Sequence, residues 1–177
     1  TPPDSRVTLS PSQCKLLIGK GIDVIVQPSK VRCFPDEDYK AAGVPISEDL
    51  SDRDIMIGVK EVPIASLVND KTYFFFSHTI KAQPYNQELL KAVVDKNITL
   101  LDYEVLTNEK GARVIAFGKF AGMVGAHNGL WTYGKRTGEF DLPRMKDLYD
   151  YKAAKEIYAE TKIPNVKAVV TGTGRVA

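Results

Sequence analysis

Cysteine is scarce, with only Cys14 and Cys33 in 177 residues. The two make neither a metal-ligand spacing nor a disulfide framework, so a reducing cytoplasm is the expected compartment. Long apolar runs are missing too. The most apolar stretch, residues 73–76, falls far short of the roughly 20 residues a membrane helix needs. With no signal-peptide pattern at the start, a membrane is not an expected partner. Nor is there a surplus of either charge: 24 Lys and Arg against 22 Asp and Glu leave a net charge of +2. That field is too weak to point to nucleic acid. Repeats and low-complexity tracts are absent.

What is present is an ordinary globular composition, 44% hydrophobic and 26% charged. It can bury one sizeable core, with a second domain at most begun. Short apolar runs bounded by turn residues occupy residues 23–26, 55–59, 72–76, 98–101, 114–117 and 167–171. Rich in Val, Ile, Phe and Tyr and mostly without alternation, they predict strands covered on both faces, as in a parallel sheet. Helices are predicted between them. One starts at Ser10 and Pro11 and stops at Gly21; another starts near Pro84 and stops around Asn97. Residues 118–138 are helical but punctuated by six glycines, which calls for compensating close contacts. Residues 141–144 read as a loop, and residues 146–162 as a helix that connects two domains. Strand, helix, strand order predicts an α/β fold.

Lys60, His78 and Glu104 each fall at the carboxyl end of a predicted strand. In open α/β sheets ligands bind at that edge, so the three form a candidate acid/base cluster. Simpler readings stay open at this point. Lys60 could be a solvated lysine paired with Glu61, and His78 could cap a turn. Glu104 could be a surface charge, with Asp102 equally able to serve as the acid. Arg6 could clamp a carboxylate through two parallel hydrogen bonds, as many surface arginines could. His127 has no evident polar partner and reads as structural. Near the end, an apolar run enters Gly172-Thr173-Gly174. Dinucleotide-binding units open this way, although any glycine turn looks the same.

The block Tyr73-Phe74-Phe75-Phe76-Ser77-His78-Thr79-Ile80-Lys81-Ala82-Gln83 resembles the signature of lysine-ketoglutarate reductases, which form saccharopine from lysine and 2-oxoglutarate. Val24-Ile25-Val26-Gln27-Pro28-Ser29, Leu101-Asp102-Tyr103-Glu104 and Gly111-Ala112-Arg113 extend the resemblance. Arg6-Val7-Thr8-Leu9-Ser10-Pro11 and Lys60-Glu61 followed by Pro63 are similar to the wider superfamily. That superfamily holds alanine dehydrogenases, the N-terminal domains of pyridine nucleotide transhydrogenases and lysine-forming saccharopine dehydrogenases.

The resemblance implies a Rossmann-like (flavodoxin-like) three-layer domain with a mostly parallel sheet. It divides the chain into a substrate-binding domain (1–140), a connector helix (141–165), and the first strand and glycine loop of an NAD(P)-binding domain (166–177). It implies that Lys60 and His78 are the acid/base pair. Arg6, Glu104 and Lys81 would bind substrate, Glu104 also tuning the pair's charge, and Gly172 and Gly174 would meet NAD or NADP. No metal is implied. The partners are an amino acid and a 2-oxo acid, with a homo-oligomer left open. Relatives continue at both ends, so the resemblance makes this chain a fragment that is inactive alone and binds NAD(P)H poorly. Two alternatives stand beside the leading function: an alanine dehydrogenase, and a non-catalytic amino-acid-binding domain of the same fold.

Overall fold

The computed structural model describes residues 4–174 and residue 176. They divide into two compact units, Thr1–Ile115 and Ala116–Ala177.

In the first unit, Ser10 and Gln13 form a capping box that starts α1 (Pro11–Gly19), with Pro11 supplying a preset φ in its first turn. The chain leaves the helix through Gly21 at φ +83°, as the glycine stop requires. Cys14 of α1 packs on Tyr39 of α2 (Asp36–Ala41) and on Val44 to make one small core. The Tyr39 hydroxyl donates to the Leu9 carbonyl at 2.7 Å.

The sheet has three strands, β1 (Ile55–Ile57), β2 (Thr72–Phe75) and β3 (Thr99–Asp102), side by side in that order and all parallel. A parallel pair needs a crossover, and α3 (Gln87–Asp95) provides it between β2 and β3. Its Leu89 and Val93 cover Tyr73 and Phe75 of β2 together with Leu67, forming a second core. Burying a side chain of this size contributes about 2–3 kcal/mol, so Phe75 is a main fastening of helix to sheet. Asn97, at φ +52°, ends the helical stretch where the sequence places its stop.

Four expectations need correction. Residues 23–26 make only an isolated parallel bridge, Val26 to Ile46. Residues 114–117 are not a strand; the bridge in that region is antiparallel, Thr107 to Arg113. Residues 167–171 form no strand, and Val169 is 85% exposed. An apolar run becomes a strand only when a neighbour takes up its hydrogen bonds along its length, and the first two of these segments find partners at single residues only, Val26 and Val114. Coverage on both faces also fails for β1, where Ile55 and Ile57 lie open.

The second unit is built on α4 (Gly118–Thr137), which ends at Gly138 at φ +71°. The expected close glycine contact exists at Gly134, where a Cβ would stand 2.6 Å from the Phe140 carbonyl oxygen. Gly125 and Gly129 face open space instead. The predicted helix over residues 146–162 is shorter: a 3-10 turn (Met145–Asp147) precedes α5 (Tyr151–Glu160), which Asp150 caps by accepting from the Ala153 amide at 2.8 Å. His127 is buried with two polar partners: Nδ1 meets the Tyr158 hydroxyl at 3.0 Å, and Nε2 meets the Pro143 carbonyl at 2.8 Å. A carbonyl only accepts, so Nε2 carries the proton and Nδ1 accepts from the tyrosine.

Candidate functional site at the carboxyl edge of the sheet

Because the three strands are parallel, their carboxyl ends emerge together. Pairing continues past β1 and β2, with the Phe76 amide donating to the Val59 carbonyl at 3.1 Å. Lys60 follows at once on one chain, and Ser77 and His78 on the other. From β3 come Asp102 and Glu104.

Ser77 is fully buried and donates to Asp102 Oδ2 at 2.6 Å. The other oxygen of Asp102 accepts from the Glu104 amide at 2.8 Å. Both oxygens are thus committed to local structure, which separates Asp102 from Glu104 in a way the sequence leaves open. The carboxylate joins β2's exit to β3's exit and holds the edge in shape.

His78 leaves the sheet in a left-handed conformation, φ +57° and ψ +10°. Its Nδ1 lies 2.7 Å from Glu61 Oε1. An ionised carboxylate accepts only, so the proton sits on Nδ1 and the Nε2 lone pair is left for chemistry. The imidazole stacks on Phe76 at 6.5 Å between ring centroids, and Phe76 meets the Tyr103 ring edge-on at 5.2 Å. Burial pushes the Tyr103 phenol upward, keeping that hydroxyl neutral. Glu61 therefore pairs with His78, not with Lys60 as the simpler sequence reading supposes.

Lys60 is exposed and lies near enough to Asp4 for its charge to act there. Asp4 is held at about 2, chiefly by hydrogen bonds from Arg6 and to a smaller extent by the Lys60 ammonium. Arg6 Nε donates to Asp4 Oδ1 at 2.9 Å, and a second, shorter bond joins Nη2 to Oδ2. In this structure the guanidinium fork grips a carboxylate of its own chain, the geometry it would need for a substrate carboxylate. A cleft of about 730 Å³ opens beside it, walled by apolar residues such as Val26 and Ile57. It touches the polar cluster only at Asp4 and Arg6, so volume and chemistry do not coincide here.

Glu104 is only 7% exposed in its side chain; its Oε1 lies in an ion pair 3.2 Å from Lys81 Nζ and accepts from Arg113 Nη2 at 3.1 Å. Oε2 is buried with no hydrogen-bond partner among the described residues. An idle buried acceptor is costly, roughly 1–3 kcal/mol, and suits a donor brought in from outside.

The exits of the three strands thus carry Lys60, His78 and Glu104, with Lys81 paired to Glu104 and Arg6 paired to Asp4. Gly172 and Gly174 belong to the second unit. Gly172 takes φ +109°, and open space stands where a Cβ of Gly174 would project. Both features fit a backbone turn that a pyrophosphate could approach. Sequence reasoning misses Asp4 and Arg113 as carboxylate and cation partners, since neither lies at a strand end. Glu61 could have been found from its place next to Lys60. Among the described residues, no three His, Cys, Asp or Glu side chains gather as a metal site, and no helix is long and apolar enough to cross a membrane.

The family described as "Alanine dehydrogenase/PNT, N-terminal domain" matches residues 1–124. The mouse protein (Mus musculus) named alpha-aminoadipic semialdehyde synthase, mitochondrial, is 41% identical over 133 residues, 75% of this chain and 14% of that one. The Candida glabrata saccharopine dehydrogenase [NAD(+), L-lysine-forming] is 34% identical over 185 residues, covering 98% of this chain and 45% of that protein. Among solved structures, an L-alanine dehydrogenase matches at 23% identity with a TM-score of 0.57, over 75% of this chain and 37% of that one. A transhydrogenase from Sinorhizobium meliloti matches at 18% identity with a TM-score of 0.60, over 80% and 41%. These last two likenesses concern the fold, and the chain spans less than half of each of these four proteins.

Proposed function

The chain belongs to the alanine dehydrogenase/PNT N-terminal domain family, and on that footing we propose that it is the substrate-binding part of an NAD(P)-dependent amino-acid dehydrogenase that forms or cleaves saccharopine. Its substrates on this reading are lysine and 2-oxoglutarate. What supports the reading most is that Lys60, His78 and Glu104 each follow the carboxyl end of one of three adjacent parallel strands, with His78 Nδ1 tied to Glu61. Names of relatives that act on saccharopine support the choice of substrate.

Joining an amine to a 2-oxo acid forms a C–N bond and expels the carbonyl oxygen as water. Protons must reach that oxygen and leave that nitrogen. His78 exchanges them at Nε2, while Glu61 holds the ring by its Nδ1. Lys60 is the second exchanging group, its ammonium standing near Asp4 and Arg6. Arg6 turns from Asp4 to a substrate carboxylate, and Lys81 and Arg113 flank Glu104, whose free Oε2 accepts from a substrate amine. When bound, the nicotinamide supplies or takes the hydride that interconverts imine and amine. Gly172 and Gly174 would hold its pyrophosphate.

In the same proposal residues 1–140 form the substrate domain, 141–165 the connector and 166–177 the opening of the nucleotide-binding domain. The cysteines of the described chain are both unpaired, which supports a cytoplasmic or similarly reducing setting. The test is an assay of the full-length protein with lysine plus 2-oxoglutarate beside pyruvate plus ammonia, each with NADH and NADPH. Turnover of the first pair is expected. Turnover of pyruvate alone would make the protein an alanine dehydrogenase, and binding without turnover of either would make it an amino-acid-binding domain.

A further inference from the structure

His78 holds a backbone conformation that its residue type does not favour, φ +57° and ψ +10°. A Cβ-bearing residue stays there only where its surroundings impose it. Two buried side chains flank it. On the amino side Ser77 is pinned, donating to Asp102 and sharing a 2.8 Å hydrogen bond with the Thr79 hydroxyl. On the carbonyl side the His78 oxygen accepts from the Lys81 amide at 3.0 Å, within its own turn, and from Asn86 Nδ2 at 3.2 Å, the donor that ties the turn to the start of α3.

Asn86 is placed to do this and little else. It ends the 3-10 turn Pro84–Asn86 that leads into α3, and it is only 4% exposed. An asparagine at a helix start commonly accepts from a first-turn amide. This one makes no side-chain cap bond. Its amide instead reaches eight residues back along the chain, to the turn that carries His78.

We propose that Asn86 is a positioning residue: by holding the His78 carbonyl it locks the left-handed turn, so that Nδ1 faces Glu61 and Nε2 faces outward. The role depends on geometry at His78, and its catalytic consequence rests on the acid/base reading given above. Without the Asn86 donor, the His78 carbonyl keeps only the Lys81 amide of its own 3-10 turn, and the backbone, no longer fastened to the start of α3, relaxes toward negative φ. The imidazole then swings off Glu61.

Two readouts separate these layers. In the ¹⁵N-histidine-labelled protein, a ring proton bonded to a carboxylate exchanges slowly, so His78 Nδ1–H gives a protected resonance, assigned by its loss in His78→Gln. With ¹⁵N-glycine labelled as well, the Gly58 amide, bonded to the Phe74 carbonyl at 2.8 Å in the same unit, is the internal gauge of folding. Asn86→Leu is expected to abolish the His78 resonance and keep a protected Gly58 amide. Should Asn86→Leu also lose the Gly58 protection, Asn86→Ser, whose side chain is too short to span the gap, gives the same readout in a milder background. A folded variant with the His78 resonance unchanged would overturn the proposal. In the full-length protein, the same variant is expected to lower kcat roughly 10- to 100-fold, the scale of a misplaced reacting group, with KM little changed. Loss of the resonance with turnover intact would uphold the positioning role and overturn the acid/base reading of His78.

Discussion

The chain's two histidines occupy opposite environments. His127 is 3% exposed and has both ring nitrogens hydrogen-bonded, to Tyr158 and Pro143. His78 stands in a left-handed turn with Nδ1 on Glu61, and among the described residues nothing holds its Nε2. The first has spent its hydrogen-bonding capacity on structure and the second has kept half of it. Residue type is the same in both, so the difference lies in what each ring nitrogen already meets.

The largest effect expected from this contrast is on turnover. In the full-length protein His78→Ala and Lys60→Met should each lower kcat about 10²- to 10⁴-fold. The double variant should lose less than the product of the two, because groups acting together are not additive. His127→Ala should do the reverse. It removes a buried ring and leaves the Tyr158 hydroxyl and Pro143 carbonyl without their partner, costing about 2–4 kcal/mol of stability in urea or thermal unfolding. Turnover per folded molecule should stay within a few fold of the parent. Equal losses of turnover at both histidines would erase the comparison.

How much of this is legible from sequence also divides along the same line. The parallel sheet follows from short apolar runs at 55–59, 72–76 and 98–101, and the strand ends then place Lys60, His78 and Glu104 without further information. The αL turn at His78, the diversion of Asn86 and the Arg113–Glu104 pair are not legible. The two contacts join residues eight and nine positions apart across irregular chain, outside the three- and four-residue spacing of a helix or the alternation of a strand, and no local pattern encodes them or the turn they surround. The strands expected at residues 114–117 and 167–171 fail for a related reason. Val, Ile and Phe report a preference for burial, while strand formation also needs a partner ladder that composition does not supply.

Smaller effects sharpen the account around Arg6. Arg6→Ala should raise KM for one carboxylate-bearing substrate roughly 10-fold, with kcat near the parent, if the guanidinium binds ground and transition states alike. A fall in kcat with KM unchanged would place it in the transition state instead. The smallest effect is on stability against pH. Asp4 has its folded-state value lowered to about 2 from 3.8. The stabilisation it contributes is therefore complete above about pH 4 and lost as pH falls toward about 2. The pair is partly solvated, with side chains 34% and 43% exposed, so only a few tenths of a kcal/mol are expected. Acid titration of stability in the parent and in Asp4→Asn would show it as a small difference confined to that window.

If His78 and Lys60 exchange the protons of the reaction, the pH dependence of kcat/KM in the full-length protein must carry their signature. A bell-shaped profile is expected for the parent, both limbs arising from the two residues acting together. Replacing either residue should remove a limb as well as depress the maximum. A profile that keeps both limbs in His78→Ala and in Lys60→Met, with turnover within a few fold of the parent, would contradict it.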